Sequence, residues 1–170
     1  GVHIILFNKY TWADISTPWY RNELKQHATR DPYGDPYLSD GYQYNTYTQL
    51  GGINTRRFAV MCPLSERWRT IARREFAKSL ELEASGILYD ENQHHGGVQM
   101  CFADDHGHTC PAFVFAGDDA LAREFQADYQ QRNPGFVMVG EGIYDMQSQY
   151  YNASYLRSDN FTSPGSSKGG

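Results

Sequence analysis

Short runs of apolar residues predict three buried strands. They cover residues 3–8 (HIILFN), 86–90 (GILYD) and 136–139 (FVMV). Each run is only strand length, and each leads into polar or acidic residues, as short buried strands of a parallel sheet do. The second run ends on Asp90, and the third is followed by Gly140 and Glu141.

An amphipathic stretch over residues 66–83 predicts the clearest helix. Trp68, Ile71, Phe76 and Leu80 recur at helical spacing, together with Ala72. This spacing puts them on one face, which we expect to pack against the sheet.

Three further helices are predicted. Thr17 caps helices well and Pro18 suits the first helical position, so a helix is predicted from there to about residue 27. The other two cover residues 118–132, with Asp118 as the N-cap, and residues 145–157.

Alternation of short apolar strands with amphipathic helices predicts an α/β fold. Such strands form a parallel sheet with helices outside it, as in a (β/α) barrel. A complete barrel usually needs about 250 residues, whereas this chain has 170. The sequence therefore predicts a segment of a parallel barrel.

Two long loops have an unusual composition. Residues 31–47 are dense in Pro, Gly, Asp and Tyr, and residues 91–116 are rich in His, Gly and Asp, with a short strand predicted at 112–116. Long loops in compact domains are usually functional or disordered, and five tyrosines in the first loop favour function. A hairpin that turns at Gly51 and Gly52 is predicted over residues 48–61.

Asp90 and Glu141 end two successive predicted strands. Active sites of parallel α/β folds lie at the carboxyl ends of the strands, so we expect both carboxylates on one rim. Hydrolysis of a glycosidic bond uses such a pair, one as nucleophile or base and one as acid. The alternative is that each acid only caps a helix or binds loop amides.

Composition limits the possible partners. The net charge is −5, with 15 basic residues among 20 acidic ones, so no basic stripe favours nucleic acid. The mean hydropathy is −0.65, no apolar run reaches the roughly 20 residues of a membrane span, and no signal peptide opens the chain. We expect a soluble protein, cytoplasmic or secreted. Any one of its 13 tyrosines serves either as a platform for a sugar ring or as packing under a long loop.

Three segments together resemble the central part of glycoside-hydrolase-like TIM barrels: MCPLSERWR (61–69), SGILYDEN (85–92) and NPGFVMVGEGIYD (133–145). The likeness is to poorly characterised bacterial families distantly related to the alpha-galactosidase and alpha-amylase groups. In the alpha-amylase and dextranase groups the nucleophile is an Asp at the end of the fourth strand, and the acid/base is a Glu at the end of the fifth. By this resemblance, Asp90 would be the nucleophile and Glu141 the acid/base. In the alpha-galactosidase group the acid comes from a later strand, which would leave Glu141 as a binding residue.

This resemblance implies that the chain supplies about strands three to five of an incomplete TIM barrel. The partial catalytic barrel covers residues 1–157, and residues 158–170 form a loop or flexible tail. Because an open parallel sheet exposes its edges, we expect other segments or chains to complete the barrel.

The predicted substrate is an oligosaccharide, polysaccharide or glycoside, cleaved without a cofactor and with retention of configuration. The predicted substrate-binding residues lie near strand ends and in the loops: Asn8, Trp12, Tyr42, Tyr44, Glu91, Asn92, His94, His95 and Tyr144. The alternative is a non-catalytic carbohydrate-binding or structural barrel segment, in which the acids only hydrogen-bond ligand.

The second loop also contains metal-ligand residue types, namely His94, His95, Cys101, His106, His108 and Cys110. Thiol and imidazole donors suit zinc, although the spacing C-x4-H-x-H-x-C matches no familiar finger pattern. No metal site is predicted, and a zinc hydrolase is the third alternative. With three cysteines no disulfide framework is expected, and a bond between Cys101 and Cys110 stays open.

Overall fold

The structure is a computed structural model that describes residues 1–39, 57–91 and 100–155. Its elements in chain order are β1 (Ile5–Asn8), β2 (Trp12–Asp14), α1 (Pro18–Asn22), a 3-10 turn (Leu24–His27), β3 (Leu38–Ser39), β4 (Phe58–Val60), α2 (Glu66–Glu81), β5 (Gly86–Tyr89), β6 (Met100–Cys101), β7 (Ala112–Phe113), α3 (Phe115–Arg132), β8 (Val137–Glu141), a 3-10 turn (Gln147–Gln149) and β9 (Ala153–Tyr155).

Four parallel strands form the main sheet, in the order β1-β5-β8-β9. β5 pairs with β8, with Gly86 opposite Val137 and Tyr89 opposite Gly140, and α3 connects the two strands. The predicted parallel pairing of these segments is therefore confirmed. Since spatial order follows chain order, the sheet has the arrangement of consecutive strands in a parallel (β/α) barrel, and the predicted barrel segment is confirmed.

The helix predicted over residues 145–157 is wrong. Within the described part of this range, Gln147–Gln149 form a 3-10 turn and Ala153–Tyr155 form β9, which pairs with β8. Asn152 secures this path, because its backbone N–H donates to the carbonyl of Met138 and its Oδ1 accepts from the backbone N–H of Met138, both at 2.8 Å. All three residues of β9 are exposed, so no apolar run marks the strand in the sequence.

Helix α2 begins after Ser65, whose side chain accepts from the backbone N–H of Trp68. Phe76 is fully buried between the sheet and the helices, and Leu80 packs at the edge of the same cluster. This part of the predicted apolar face is confirmed. Trp68 and Ile71, however, pack with residues of β2, β4 and α1, because the helix also spans the small antiparallel sheet.

Helix α1 begins as predicted, since Thr17 Oγ1 accepts from the backbone N–H of Tyr20 at 3.1 Å. It ends early, and a 3-10 turn replaces its second half. In α3 the prediction of Asp118 as the N-cap is wrong. The helix begins at Phe115, and Asp118 lies buried in its first turn, where its Oδ1 accepts from the Tyr10 hydroxyl at 3.4 Å.

Two small antiparallel sheets accompany the parallel sheet, in the orders β2-β4-β3 and β6-β7. β4 lies in the second half of the hairpin predicted over residues 48–61, and β7 occupies only the start of the strand predicted at 112–116. The hairpin turn at Gly51 and Gly52 and most of the tyrosine-rich loop lie outside the described residues.

The two faces of the parallel sheet differ in burial. Leu6, Ile87 and Met138 face the core that contains Phe76 and Phe125 of the helices. Side chains alternate along a strand, so the intervening residues point to the opposite face. On that face Ile5 is 50% exposed and Phe7 is 69% exposed. None of the helices in the described ranges is long and apolar enough to cross a membrane.

Candidate active site

Asp90 and Glu141 lie side by side at the carboxyl ends of β5 and β8. Tyr89 is opposite Gly140 in the sheet, so the next position along each strand brings Asp90 beside Glu141. Neighbouring strands are about 4.7–4.9 Å apart. The predicted acids therefore occupy one row of the same rim, on the face away from the helices.

Lys9 extends this row on β1. The backbone N–H of Asp90 donates to the carbonyl of Asn8 at 2.9 Å, which aligns the two strand ends. Lys9 Nζ lies 3.9 Å from Asp90 Oδ2 and forms an ion pair with Glu91 Oε2. It also lies 3.2 Å from the centroid of the Trp12 ring, in cation–π geometry.

Glu91 connects the two acidic strand ends. Its backbone N–H donates to Glu141 Oε2 at 3.1 Å, while its φ of 43° lies in the left-handed region. Such backbone conformations are uncommon for residues other than glycine and concentrate at functional sites. This conformation presents the N–H to Glu141 and the side chain to Lys9.

The charged groups at this rim are largely withdrawn from water. The side chains of Lys9, Asp90 and Glu91 are 18%, 15% and 12% exposed, and Glu141 is 9% exposed. Burial lowers the pKa of Lys9, and the attraction of Glu91, Asp90 and Glu141 opposes that shift. Charge interactions are stronger in such surroundings than in water.

Asn8 and Trp12, both predicted to bind substrate, line a neighbouring cavity of about 320 Å³. Asn8 Oδ1 accepts from the backbone N–H of Lys9 at 2.7 Å, and Trp12 stacks on Phe58 with ring centroids 5.5 Å apart. Lys9 also lines the cavity, whereas Asp90 and Glu141 are not among its described lining residues. The cavity therefore adjoins the acid pair through Lys9.

Tyr144 anchors the chain after β8. Its hydroxyl donates to the carbonyl of Phe115 at 2.8 Å, its ring meets that of Phe115 edge-on, and burial raises the pKa of its phenol. A role in substrate binding stays a prediction, as does that of Glu91. The other predicted binding residues lie outside the described residues: Tyr42, Tyr44, Asn92, His94 and His95.

Sequence reasoning missed Lys9 as a member of the site. The signal was present, since Lys9 follows the first apolar run just as Asp90 follows the second. The predicted chemistry required only carboxylates, so the cation beside Asp90 was not predicted.

A second group of chemically active side chains lies between the small sheets. It comprises Cys62, Cys101, His106 and His108, whose potential ligand atoms all lie within 4.8 Å of one another. Cys62 was not foreseen, because it is far from the others in sequence. Cys110 is a free thiol outside this group, and its Sγ donates to the carbonyl of Phe102 at 3.1 Å.

Solved structures with a similar fold include several glycosidases. The GH36 alpha-galactosidase AgaA from Geobacillus stearothermophilus, in complex with stachyose, matches with a TM-score of 0.63 and 13% identity, over 94% of this chain and 20% of that one. The maltogenic alpha-amylase AmyB from Thermotoga neapolitana matches with a TM-score of 0.57 and 10% identity, over 91% and 28%. The glycoside hydrolase domain of PelA from Pseudomonas aeruginosa matches with a TM-score of 0.57 and 13% identity, over 93% and 51%.

These identities establish likeness of fold alone. The chain spans only part of each of these structures: 20% of the AgaA chain, 28% of the AmyB chain and 51% of the PelA chain. No curated protein sequence matches it. The family model described as "Domain of unknown function (DUF6259)" matches residues 1–158, and the chain therefore belongs to that family.

Proposed function

We propose that this chain carries the catalytic carboxylates of a retaining glycoside hydrolase, with Asp90 as nucleophile and Glu141 as acid/base. The observation that carries the proposal is the row of Lys9, Asp90 and Glu141 across three adjacent parallel strands. The close spacing of adjacent strands favours the short carboxyl separation, about 5–5.5 Å, of retaining enzymes.

The two acids differ in their immediate partners, which are Lys9 for Asp90 and the backbone of Glu91 for Glu141. A retaining enzyme needs an ionised nucleophile and a protonated acid at the same pH. Lys9 Nζ lies 3.9 Å from Asp90 Oδ2, so a positive charge stands beside the proposed nucleophile. The hydrogen bond from the backbone of Glu91 holds the Glu141 carboxyl beside Asp90, ready to protonate a leaving oxygen and later to activate water.

The rest of the barrel would come from other segments or chains. Ile5 and Phe7 expose half or more of their surface on the sheet face away from the helices. In a closed barrel this face lines an interior filled by side chains of all the strands. Covering these two residues would complete the floor beneath the acid pair.

The substrate is an oligosaccharide, polysaccharide or glycoside. The acid pair supports this substrate class, as does the likeness of fold to glycosidases, one of them solved with stachyose bound. Trp12 lines the cavity that adjoins Lys9, which puts an aromatic residue beside the proposed sugar site.

The test uses the full-length protein that contains this chain and a panel of aryl glycosides and oligosaccharides, including stachyose. Asp90→Asn removes the nucleophile with little change in shape, so turnover should fall by about 10⁴-fold or more on every substrate the wild type cleaves. Sugar binding, measured by calorimetry, should persist.

Asp128→Asn is the matched control, because Asp128 lies on α3 and pairs with Arg73 at the surface. It should retain wild-type turnover. Undiminished turnover in Asp90→Asn, or wild-type protein that binds sugars and cleaves none of the panel, would contradict the proposal. The second result would favour the non-catalytic carbohydrate-binding alternative.

A further inference from the structure

We propose that Cys62, Cys101, His106 and His108 bind one Zn²⁺ ion in a closed structural site. The three ligands other than His108 are buried, and His108 is partly buried. Two thiolates and two imidazoles are a common donor set of structural zinc sites. The site is separate from the row formed by Lys9, Asp90 and Glu141.

Two of the distances between ligand atoms match tetrahedral zinc, and all four atoms lie within 4.8 Å of one another. Zinc binds sulfur at about 2.3 Å and imidazole nitrogen at about 2.0–2.1 Å, so tetrahedral angles put S and N about 3.6 Å apart. Cys62 Sγ lies 3.6 Å from His108 Nε2, and Cys101 Sγ lies 3.6 Å from His106 Nδ1.

Backbone carbonyls orient both histidines toward the centre of the group. His106 Nε2 donates to the carbonyl of Gln26 at 2.9 Å, and His108 Nδ1 donates to the carbonyl of Thr109 at 2.7 Å. A neutral imidazole carries one proton, so these bonds leave His106 Nδ1 and His108 Nε2 with free lone pairs facing the thiols. Metal-binding histidines are typically held in this way.

The local packing gives the metal a stabilising role. Cys62 follows β4, Cys101 belongs to β6, and both histidines lie in the connection from β6 to β7. Among the described residues, the buried apolar cluster around them consists of Cys62, Cys101, Ala103 and Val114, with Leu64 at its edge. A bound ion would join the β6-β7 hairpin to the three-stranded sheet, where the described part of the chain makes few apolar contacts.

The protein supplies all four ligands, which leaves no open position for water or substrate. Catalytic zinc sites keep such a position. The inferred ion is therefore structural, and the geometry does not favour a zinc hydrolase.

The test measures metal in the full-length protein after dialysis, by elemental analysis and native mass spectrometry. We expect one Zn²⁺ per chain. Replacement with Co²⁺ should produce the thiolate-to-cobalt charge-transfer band and the intense visible bands of a tetrahedral complex. Cys62→Ser, Cys101→Ser and His108→Gln should each reduce the bound metal to a small fraction.

Two variants serve as matched controls. Cys110→Ser removes the exposed cysteine near the site, and His3→Gln removes an exposed histidine. Both should keep one Zn²⁺ per chain. If the ligand variants fail to fold, wild-type protein can be stripped of metal with a chelator and then titrated with Zn²⁺ alone. Binding of one equivalent, together with a higher melting temperature, would support the site.

Three results would overturn the proposal. The first is wild-type protein without stoichiometric metal that also fails to take up Zn²⁺. The second is a set of ligand variants that fold and retain the ion. The third is a non-reducing peptide map showing a disulfide between Cys62 and Cys101. A disulfide between Cys62 and Cys101 would mean that these two thiols bond to each other and are not metal ligands.

Discussion

The backbone N–H of Glu91 donates a hydrogen bond to Oε2 of Glu141 at 3.1 Å. This bond joins the residue that follows Asp90 to the carboxylate at the end of the neighbouring strand. The position of Glu141 therefore depends on the left-handed backbone of Glu91 as well as on its own strand. Perturbing the end of β5 should displace both acids together.

Glu141→Gln should slow hydrolysis in proportion to how much the leaving group needs a proton. The amide oxygen can still accept the hydrogen bond from Glu91, so the geometry should survive while acid catalysis is lost. We expect about 10²–10⁴-fold slower turnover of unactivated glycosides and a mild effect on activated aryl glycosides. Steady-state kinetics on a leaving-group series measures this difference.

An equal loss on all substrates would show that Glu141 binds or supports structure and does not act as an acid. That result would fit the arrangement of the alpha-galactosidase group, in which the acid comes from a later strand. Glu124→Gln is a suitable control, since Glu124 lies on α3 and pairs with Arg69.

Lys9→Met should change the pH dependence of activity. Lys9 places a positive charge beside Asp90 and Glu91, and the neutral Met keeps similar bulk. Without that charge the carboxylates ionise less readily, so the acidic limb of the kcat/KM profile should move to higher pH. Profiles of wild type and variant measure the shift.

Lys78→Met provides the comparison, because Lys78 is 60% exposed and pairs with Glu75 on the outer surface of α2. Its profile should coincide with that of the wild type. An unshifted profile for Lys9→Met would mean that Lys9 does not set the ionisation of the working acids.

Phe76→Ala should destabilise the fold by about 3–5 kcal/mol, the range for deleting a buried aromatic side chain. Phe76 is fully buried, and its ring centroid lies 4.6 Å from that of Phe125 and 5.7 Å from that of Phe136. Urea unfolding measures the change in free energy. Phe113→Ala, at a residue that is 61% exposed, should cost far less. Similar losses for both would contradict the packing described for α2.

Asp14→Asn should lower stability in a pH-dependent manner. The Arg57 guanidinium lowers the pKa of Asp14 from 3.8 to about 2, with help from Ser16. A lowered folded pKa contributes stability above about pH 4, and this contribution is lost as the pH falls toward 2. Because the pair is near the surface, the effect should not exceed about 1 kcal/mol.

Urea unfolding of wild type and Asp14→Asn at several pH values tests this expectation. The difference in unfolding free energy should be present at neutral pH and should shrink steadily in acid. A constant difference across the whole range would show that the carboxylate charge is not responsible.

The sequence by itself determined the elements whose apolar pattern is local. The strands β1, β5 and β8 and the helix α2 were predictable, because burial on one face or in a short run leaves a period that is visible within a few residues. The acids Asp90 and Glu141 were identifiable as candidates for the same reason, since strand ends in parallel folds share one rim.

Only the tertiary structure decided the contacts made between distant segments. β9 has no apolar period and forms because the edge of β8 and the side chain of Asn152 satisfy its backbone. Lys9 joins the acids through the register of β1 on β5, and Cys62 meets Cys101 through the packing of two small sheets. Local propensity does not specify such long-range pairings, because they depend on how separate elements pack together.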